Sequence, residues 1–273
     1  MTSILHVSDL HFGAPAVPAH YESIEALIQE RRYDVVAVSG DVSQRARAGE
    51  FQRARVFLKQ AEQVSRTIVV PGNHDVAWWH APLGFGDESR LLRKYRAYVS
   101  DDPEPILRIP GATLVGVNTA HGVSRQTFHW NPRQWSIIGT VRRSQLERMA
   151  KAFSTVPAGD ARVVVMHHNP VKGELSQRHG LMNTKKVLGA FAELGVDLVL
   201  CGHDHQEAVH FVEHTKKGTI ISTAGTVSNR QRGGRPSSLN TINITPEQIA
   251  VTSLVWSPND NSFVPGPSRC FAR

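Results

Sequence analysis

Short apolar runs and helix-period segments alternate through the first third of the chain. Residues 3–7 form a compact apolar run that leads into Ser8, Asp9, Leu10 and His11. Over 21–30, Ile24, Leu27 and Ile28 recur at helical spacing. The β-branched run 34–38 stops at Ser39, Gly40 and Asp41; 50–62 is again helical, with Phe51, Val56, Phe57 and Leu58; and 67–70 is a strand halted by Pro71 and Gly72. Strand and helix in alternation predict a parallel sheet built from βαβ units.

Further on, 90–99, 143–153 and 184–194 read as helices, and 162–166 and 196–200 as buried strands. Two strands, 106–109 and 113–117, flank Pro110 and Gly111 and predict an antiparallel pair. After residue 200 the pattern changes. The segments 207–213, 218–223, 239–244 and 248–255 are strand-like with no helix between them, which predicts a second, antiparallel sheet packed on the first. The tail 257–273 contains Pro258, Pro265, Gly266 and Pro267 and reads as irregular, which puts the domain at 1–256. Residues 121–141 lack clean periodicity but carry Phe128, His129, Trp130 and Trp135. They are read as an insertion that caps the functional site and could stack on a base, with packing or a homodimer contact as their other roles.

Composition adds few constraints. A chain of 273 residues buries a sizeable core. The net charge of +7 favours anionic partners, including phosphorylated substrates and nucleic acid. Cys201 and Cys270 are the two cysteines, too few for a disulfide framework, and a cytoplasmic protein with reduced thiols is the expectation. No basic segment followed by a long apolar one opens the chain, and no apolar run approaches the ~18 residues of a membrane span.

The candidate chemistry lies where strands end. Five predicted strands terminate in residues of metal-ligand type: Asp9 and His11; Asp41; Asn73, His74 and Asp75; His167 and His168; His203 and His205. In open α/β sheets the functional crevice lies beyond the carboxyl ends of the strands, so parallel strands would bring all five groups to one edge. Asp9 with His11, and His203 with His205, are i,i+2 pairs, which share a face on extended backbone. Singly, each group has an ordinary structural explanation: a turn, a helix cap or a satisfied core histidine. Five in succession do not. Carboxylate and imidazole without thiolate suit Mn, Fe or Zn better than Ca. Asp41, alone after its strand, is the natural anion to bridge two cations, one oxygen to each.

Asp9-Leu10-His11, Gly40-Asp41, Gly72-Asn73-His74-Asp75, His167 and Gly202-His203-Asp204-His205 resemble, in order, the five motifs of the calcineurin-like metallophosphoesterase superfamily. Within it the chain looks most like the small bacterial class III cyclic-nucleotide phosphodiesterases. The resemblance implies a four-layer αββα sandwich of two mixed β-sheets flanked by helices, with a dimetal site at the strand C-terminal ends. It implies that Asp9, His11, Asp41 and His205 hold one metal, and that Asp41, Asn73, His167 and His203 hold the other. His74 would act as the proton donor and Asp75 would orient it. His168, Trp130 and Arg230 are expected on the substrate side. The implied activity is hydrolysis of phosphodiesters, cyclic nucleotides among them, by a hydroxide bridging two divalent or trivalent ions. A nuclease, a phosphomonoesterase and a lipid A precursor pyrophosphatase are alternatives on the same site, and the basic loop 230–235 keeps nucleic acid open. A non-catalytic scaffold is disfavoured, because every expected ligand is present.

Overall fold

The computed structural model describes residues 1–80, 90–123, 137–173, 180–214 and 218–273. Among these residues the chain forms two six-stranded mixed sheets flanked by helices. The first sheet contains β1 (Thr2–Val7), β2 (Val35–Ser39), β3 (Arg66–Val70), β10 (Ser238–Ile244), β11 (Gln248–Ser257) and β12 (Ser262–Ala272), in the order β12-β11-β10-β1-β2-β3. The second contains β4 (Ile106–Ile109), β5 (Ala112–Val117), β6 (Ala161–His168), β7 (Leu198–Gly202), β8 (Ala208–Val212) and β9 (Thr219–Thr223), in the order β4-β5-β6-β7-β9-β8.

Period-two alternation explains the layers. Ile4, Val35 and Ala37 face Val163, Val165, Leu198 and Leu200 in a core between the sheets. Their neighbours Leu5, Val36 and Val38 point the other way, onto α1 (Pro18–Arg31), α2 (Ala48–Glu62) and α3 (Arg93–Tyr98) through Ile24, Ile28, Phe51, Phe57 and Tyr95. On the far side, Val164, Met166 and Val199 pack on Met149, Phe153, Val187 and Phe191 of α4 (Arg143–Phe153) and α5 (Thr184–Glu193). Strands covered on both faces must be apolar at successive positions, which is why they read as continuous hydrophobic runs. The result is the αββα sandwich that the family resemblance implies.

Two expectations are corrected. The late strands do not make a sheet of their own. β8 and β9 extend the sheet of β6 and β7, whereas β10 pairs antiparallel with β1, and β11 antiparallel with β10. The apolar patterns of these strands identify them as strands but carry no information about partners, which non-local pairing decides. Nor is the tail irregular: residues 262–272 form β12 on β11, at the sheet edge. An edge strand tolerates proline, and the register shifts between Thr252 and Leu254, opposite Pro265, Gly266 and Pro267.

β1, β2 and β3 run parallel to one another, as do β5, β6, β7 and β9. Cys201 is buried in the core and Cys270 is exposed, both as free thiols. Among the described residues no helix is long and apolar enough to cross a membrane.

Candidate metal centre

The loops that follow β1 and β2 are zipped together. Asp9 N–H donates to Gly40 O at 3.1 Å, His11 N–H to Asp41 O at 2.9 Å, and Phe12 N–H to Val42 O at 3.0 Å. Within this ladder Asp9, His11 and Asp41 take left-handed backbone, with φ of 53°, 47° and 52°. His203 and His205, just beyond β7, do the same, with φ of 73° and 54°. The i,i+2 pairs therefore do not converge through strand alternation, as their spacing suggested. They lie past the strand ends, in conformations that cost a non-glycine residue about 1 kcal/mol or more each. Asp and His are among the residues that tolerate this region best. Backbone strain concentrated on five expected ligands marks the place where the fold spends stability on position.

Two clusters of donors result. In the first, His205 Nε2 lies 3.0 Å from Asp9 Oδ1, His11 Nε2 lies 3.5 Å from the same oxygen, and the two imidazole nitrogens are 3.1 Å apart. In the second, Asn73 Oδ1 lies 3.2 Å from His167 Nε2 and 3.0 Å from His203 Nδ1. Asp41 Oδ2 stands between them, 3.8 Å from His11 Nε2 and 3.3 Å from His167 Nε2. Its Oδ1 is engaged instead by the backbone N–H of His74 at 2.8 Å. A single oxygen of Asp41 thus faces both clusters, rather than one oxygen facing each.

The approach is close enough to require glycine at two neighbours. A Cβ on Gly72 would lie 2.1 Å from Asp41 Oδ1, and one on Gly202 would lie 1.8 Å from Ser8 Oγ and 2.4 Å from Asp9 Oδ2. Asp9 Oδ2 is itself held, accepting from Ser8 Oγ at 2.7 Å and from His203 N–H at 2.9 Å.

These residues fit a pair of cations. His167 and His205 each place Nδ1 against a backbone carbonyl, Ser39 O at 2.8 Å and Arg230 O at 2.9 Å. A carbonyl only accepts, so Nδ1 carries the hydrogen and the Nε2 lone pair points inward, the tautomer a metal ligand needs. Asp9 Oδ1 is buried yet accepts no hydrogen bond, an arrangement costly without a cation. The charges agree. Burial works against the ionised forms of Asp9 and Asp41, but the facing histidines hold both below the usual carboxylate range. His167, opposed by burial, is raised to about 9 by Asp41, so without cations this histidine keeps a proton. Burial, then the neighbouring His167, lowers His203 to about 3. His11 is lowered by burial.

His168 is not on the substrate face. It is fully buried, and its Nδ1 lies 2.7 Å from Thr119 Oγ1. Its ring centroid is 5.0 Å from that of His167 and 4.6 Å from that of His203, and the three imidazoles could share a cation. A register irregularity between Val165 and His168 breaks strict alternation, so consecutive histidines sit together. Asn169 ties this loop to the next, donating from Nδ2 to Asp204 Oδ2 at 3.2 Å.

Asp75 does not orient His74. Its carboxylate accepts from Val42 N–H (3.1 Å), Ser43 N–H (2.8 Å), Ser43 Oγ (2.7 Å) and Gly72 N–H (2.9 Å), clamping the loops after β2 and β3. Burial and the nearby Asp41 raise it to about 7, against the pull of those donors. The orienting role falls to Gln44, whose carbonyl accepts from His74 Nδ1 at 2.7 Å. His74 Nε2 then meets Arg230 Nη1 at 3.0 Å. Arg230 therefore stands beside His74, whereas Arg232 of the same basic loop pairs with Asp204 at 3.8 Å. Trp130 lies outside the described residues, as does most of the expected cap.

Asn73 and His74 also line a cavity of about 750 Å³. Its walls include Arg45, Arg47, Lys94, Trp78 and Trp79, none of which the sequence reading singled out. The available signal was a pair of tryptophans four and five residues after His74, at the end of a ligand motif.

Two adjoining clusters of Asp, His and Asn donors thus lie at the strand ends of an αββα sandwich. The chain belongs to the calcineurin-like phosphoesterase family, whose model matches residues 2–207. Among solved structures, a purple acid phosphatase from yellow lupin (Lupinus luteus) seeds superposes with a TM-score of 0.66 at 12% identity. The match covers 100% of this chain and 54% of the lupin chain, so the protein spans about half of that relative's length. GAP50, an anchor in the inner membrane complex of Plasmodium, superposes with a TM-score of 0.57 at 11% identity, over 93% of this chain and 84% of that one. At such identities the likeness is one of fold. No curated protein matches the chain.

Proposed function

We propose that the chain hydrolyses phosphodiesters of nucleotide type at a pair of transition-metal ions, cyclic nucleotides being the smallest substrates of that class. The observation that carries this reading is Asp41 Oδ2, set between the two clusters at 3.8 and 3.3 Å from imidazole nitrogens of each. Asp9, His11 and His205 would hold one ion with Asp41; Asn73, His167 and His203 would hold the other. The donor set suits Mn, Fe or Zn. When bound, the ions lower the pKa of water toward ~7 and offset charge on the phosphoryl oxygens.

The protein's own part is proton delivery and alignment. With Nδ1 committed to Gln44 O, His74 can exchange a proton only through Nε2. His74 lines the cavity, where a leaving alcohol has room. A phosphate ester of an ordinary alcohol expels a poor leaving group that needs this proton. Arg230 donates to the same Nε2, so it has to turn toward the phosphate before protonated His74 serves the leaving oxygen.

The test is a hydrolysis panel with Mn-loaded protein: bis(4-nitrophenyl) phosphate, 4-nitrophenyl phosphate, 3′,5′-cyclic AMP, 2′,3′-cyclic AMP and single-stranded DNA. Diester turnover exceeding monoester turnover is expected. Preferential monoester hydrolysis would overturn the diester assignment.

A further inference from the structure

The cavity beside His74 has a composition that the centre alone does not explain. Trp78 and Trp79 form a short 3-10 turn just after the Asn73–Asp75 turn that carries His74. They are 42% and 49% exposed. Their rings stand nearly perpendicular, at 76° with centroids 6.2 Å apart, so they present faces in two directions. An exposed tryptophan pair is costly to leave in water and is the ordinary means of holding a planar ring.

Around them the lining is cationic. Arg45, Arg47, Lys94 and Arg230 contribute to the wall, and among the described residues no carboxylate does. Lys94 Nζ is tethered to Ala46 O at 3.0 Å, and Arg230 Nη1 to Gln44 Oε1 at 3.3 Å, so two of the cations are held in place. The metal centre by itself provides for the scissile phosphate. Arg230 serves that phosphate too, so Arg45, Arg47 and Lys94 are three cations more than one phosphodiester needs, and they match an additional phosphoryl group. The volume, about 750 Å³, falls within the range of pockets that enclose a whole small ligand rather than a phosphate alone.

Resting on the reading of the centre given above, we infer that this cavity selects nucleotide substrates with a second phosphoryl group beyond the scissile one. The base stacks on Trp78 or Trp79, and Arg45, Arg47 and Lys94 hold the additional phosphate.

Isothermal titration of Mn-loaded full-length protein with ribose 5-phosphate, AMP and ADP tests both halves. AMP adds a base to ribose 5-phosphate, and ADP adds a phosphate to AMP. Each step is expected to tighten Kd about ten-fold or more. The Trp78→Ala/Trp79→Ala variant should lose the difference between AMP and ribose 5-phosphate, while Trp78→Phe/Trp79→Phe retains most of it. Arg45→Gln/Arg47→Gln should lose the difference between ADP and AMP. Equal affinities for the three probes overturn the inference. So do variants that weaken all three alike, or tryptophan variants that change oligomeric state and keep base discrimination. Absence of any turnover of bis(4-nitrophenyl) phosphate by wild type would count against the centre's assignment, and the titrations would still decide the pocket.

Discussion

Arg230 grips His74 from the side opposite Gln44: its Nη1 donates to His74 Nε2 at 3.0 Å, while Gln44 O receives Nδ1–H at 2.7 Å. The same residue's carbonyl accepts from His205 Nδ1 at 2.9 Å. Side chain and backbone of Arg230 thus serve different parts of the centre, and substitution separates them. Arg230→Ala keeps the backbone contact, so metal content by elemental analysis should stay at wild-type level. kcat should fall about 10-fold or more, and Arg230→Lys should recover little of it, because a point-like ammonium cannot span His74 and Gln44 as a planar guanidinium does. Metal loss in Arg230→Ala would show that the side chain supports the ligands instead.

Asp41→Asn preserves shape and an acceptor for the His74 amide but removes the shared anion. The variant should lose at least one metal ion per chain and nearly all activity. Its metal-dependent stabilisation should shrink too. For wild type, a metal at about 100 times its Kd adds about 2.7 kcal/mol, worth about 5–10 °C in Tm for a chain of this size. Calorimetry with graded Mn, against EDTA-treated protein, reads the difference. An equal Tm response in wild type and Asp41→Asn would remove Asp41 from the centre.

His74→Ala should retain the metals and lose rate in proportion to how badly the leaving group needs a proton. The expected fall is about 10²–10⁴-fold for a diester with an alkyl leaving group. For bis(4-nitrophenyl) phosphate, whose leaving group departs as a stable anion, it should be markedly smaller. Identical losses on both would make His74 a positioning residue rather than a proton donor.

The fold also has an acid-sensitive core histidine that is not among the candidate ligands. His6 is fully buried on β1 with Nε2 at 2.9 Å from Ser39 Oγ, and burial lowers its pKa from 6.5 to about 3. The folded protein therefore binds this proton far more weakly than the unfolded chain does. The stabilising effect of a neutral His6 is complete above pH 6.5 and is lost progressively as pH falls toward 3. Each unit below the upper limit costs about 1.4 kcal/mol. Denaturant titrations at pH 7 and pH 5 should show His6→Gln losing about 2 kcal/mol less than wild type over that interval. Parallel losses would mean that the histidine is hydrated or charged in the fold.

The sequence made the candidate ligands legible and the supporting contacts much less so. Asp9, His11, Asp41, Asn73, His167, His203 and His205 stand at strand ends, where residue type and location speak together, and the structure brings all seven into two adjoining clusters. What holds them is mostly backbone. The carbonyls of Ser39, Gln44 and Arg230 fix three imidazoles, and a carbonyl is present at every position whatever the residue. Asp75 was misread for a related reason: its neighbour in sequence is His74, but its carboxylate turns to Val42 and Ser43, some thirty positions upstream. Strand partners after residue 200 were likewise invisible, because β9 and β10 have similar apolar patterns and join different sheets.

The two clusters draw on both sheets. Asp9, His11, Asp41 and Asn73 follow strands of one, and His167, His203 and His205 end or follow strands of the other. Each expected ion would take donors from both halves of the sandwich, since His205 joins Asp9 and His11, and His167 joins Asp41 and Asn73. Bound metal would then act as a rivet across the interface. An opening that parts the sheets must first release it, so metal binding fuses two folding units into one cooperative unit. Amide exchange should register that fusion: with metal, β2 and β7 should share a single opening free energy, and without it they should diverge.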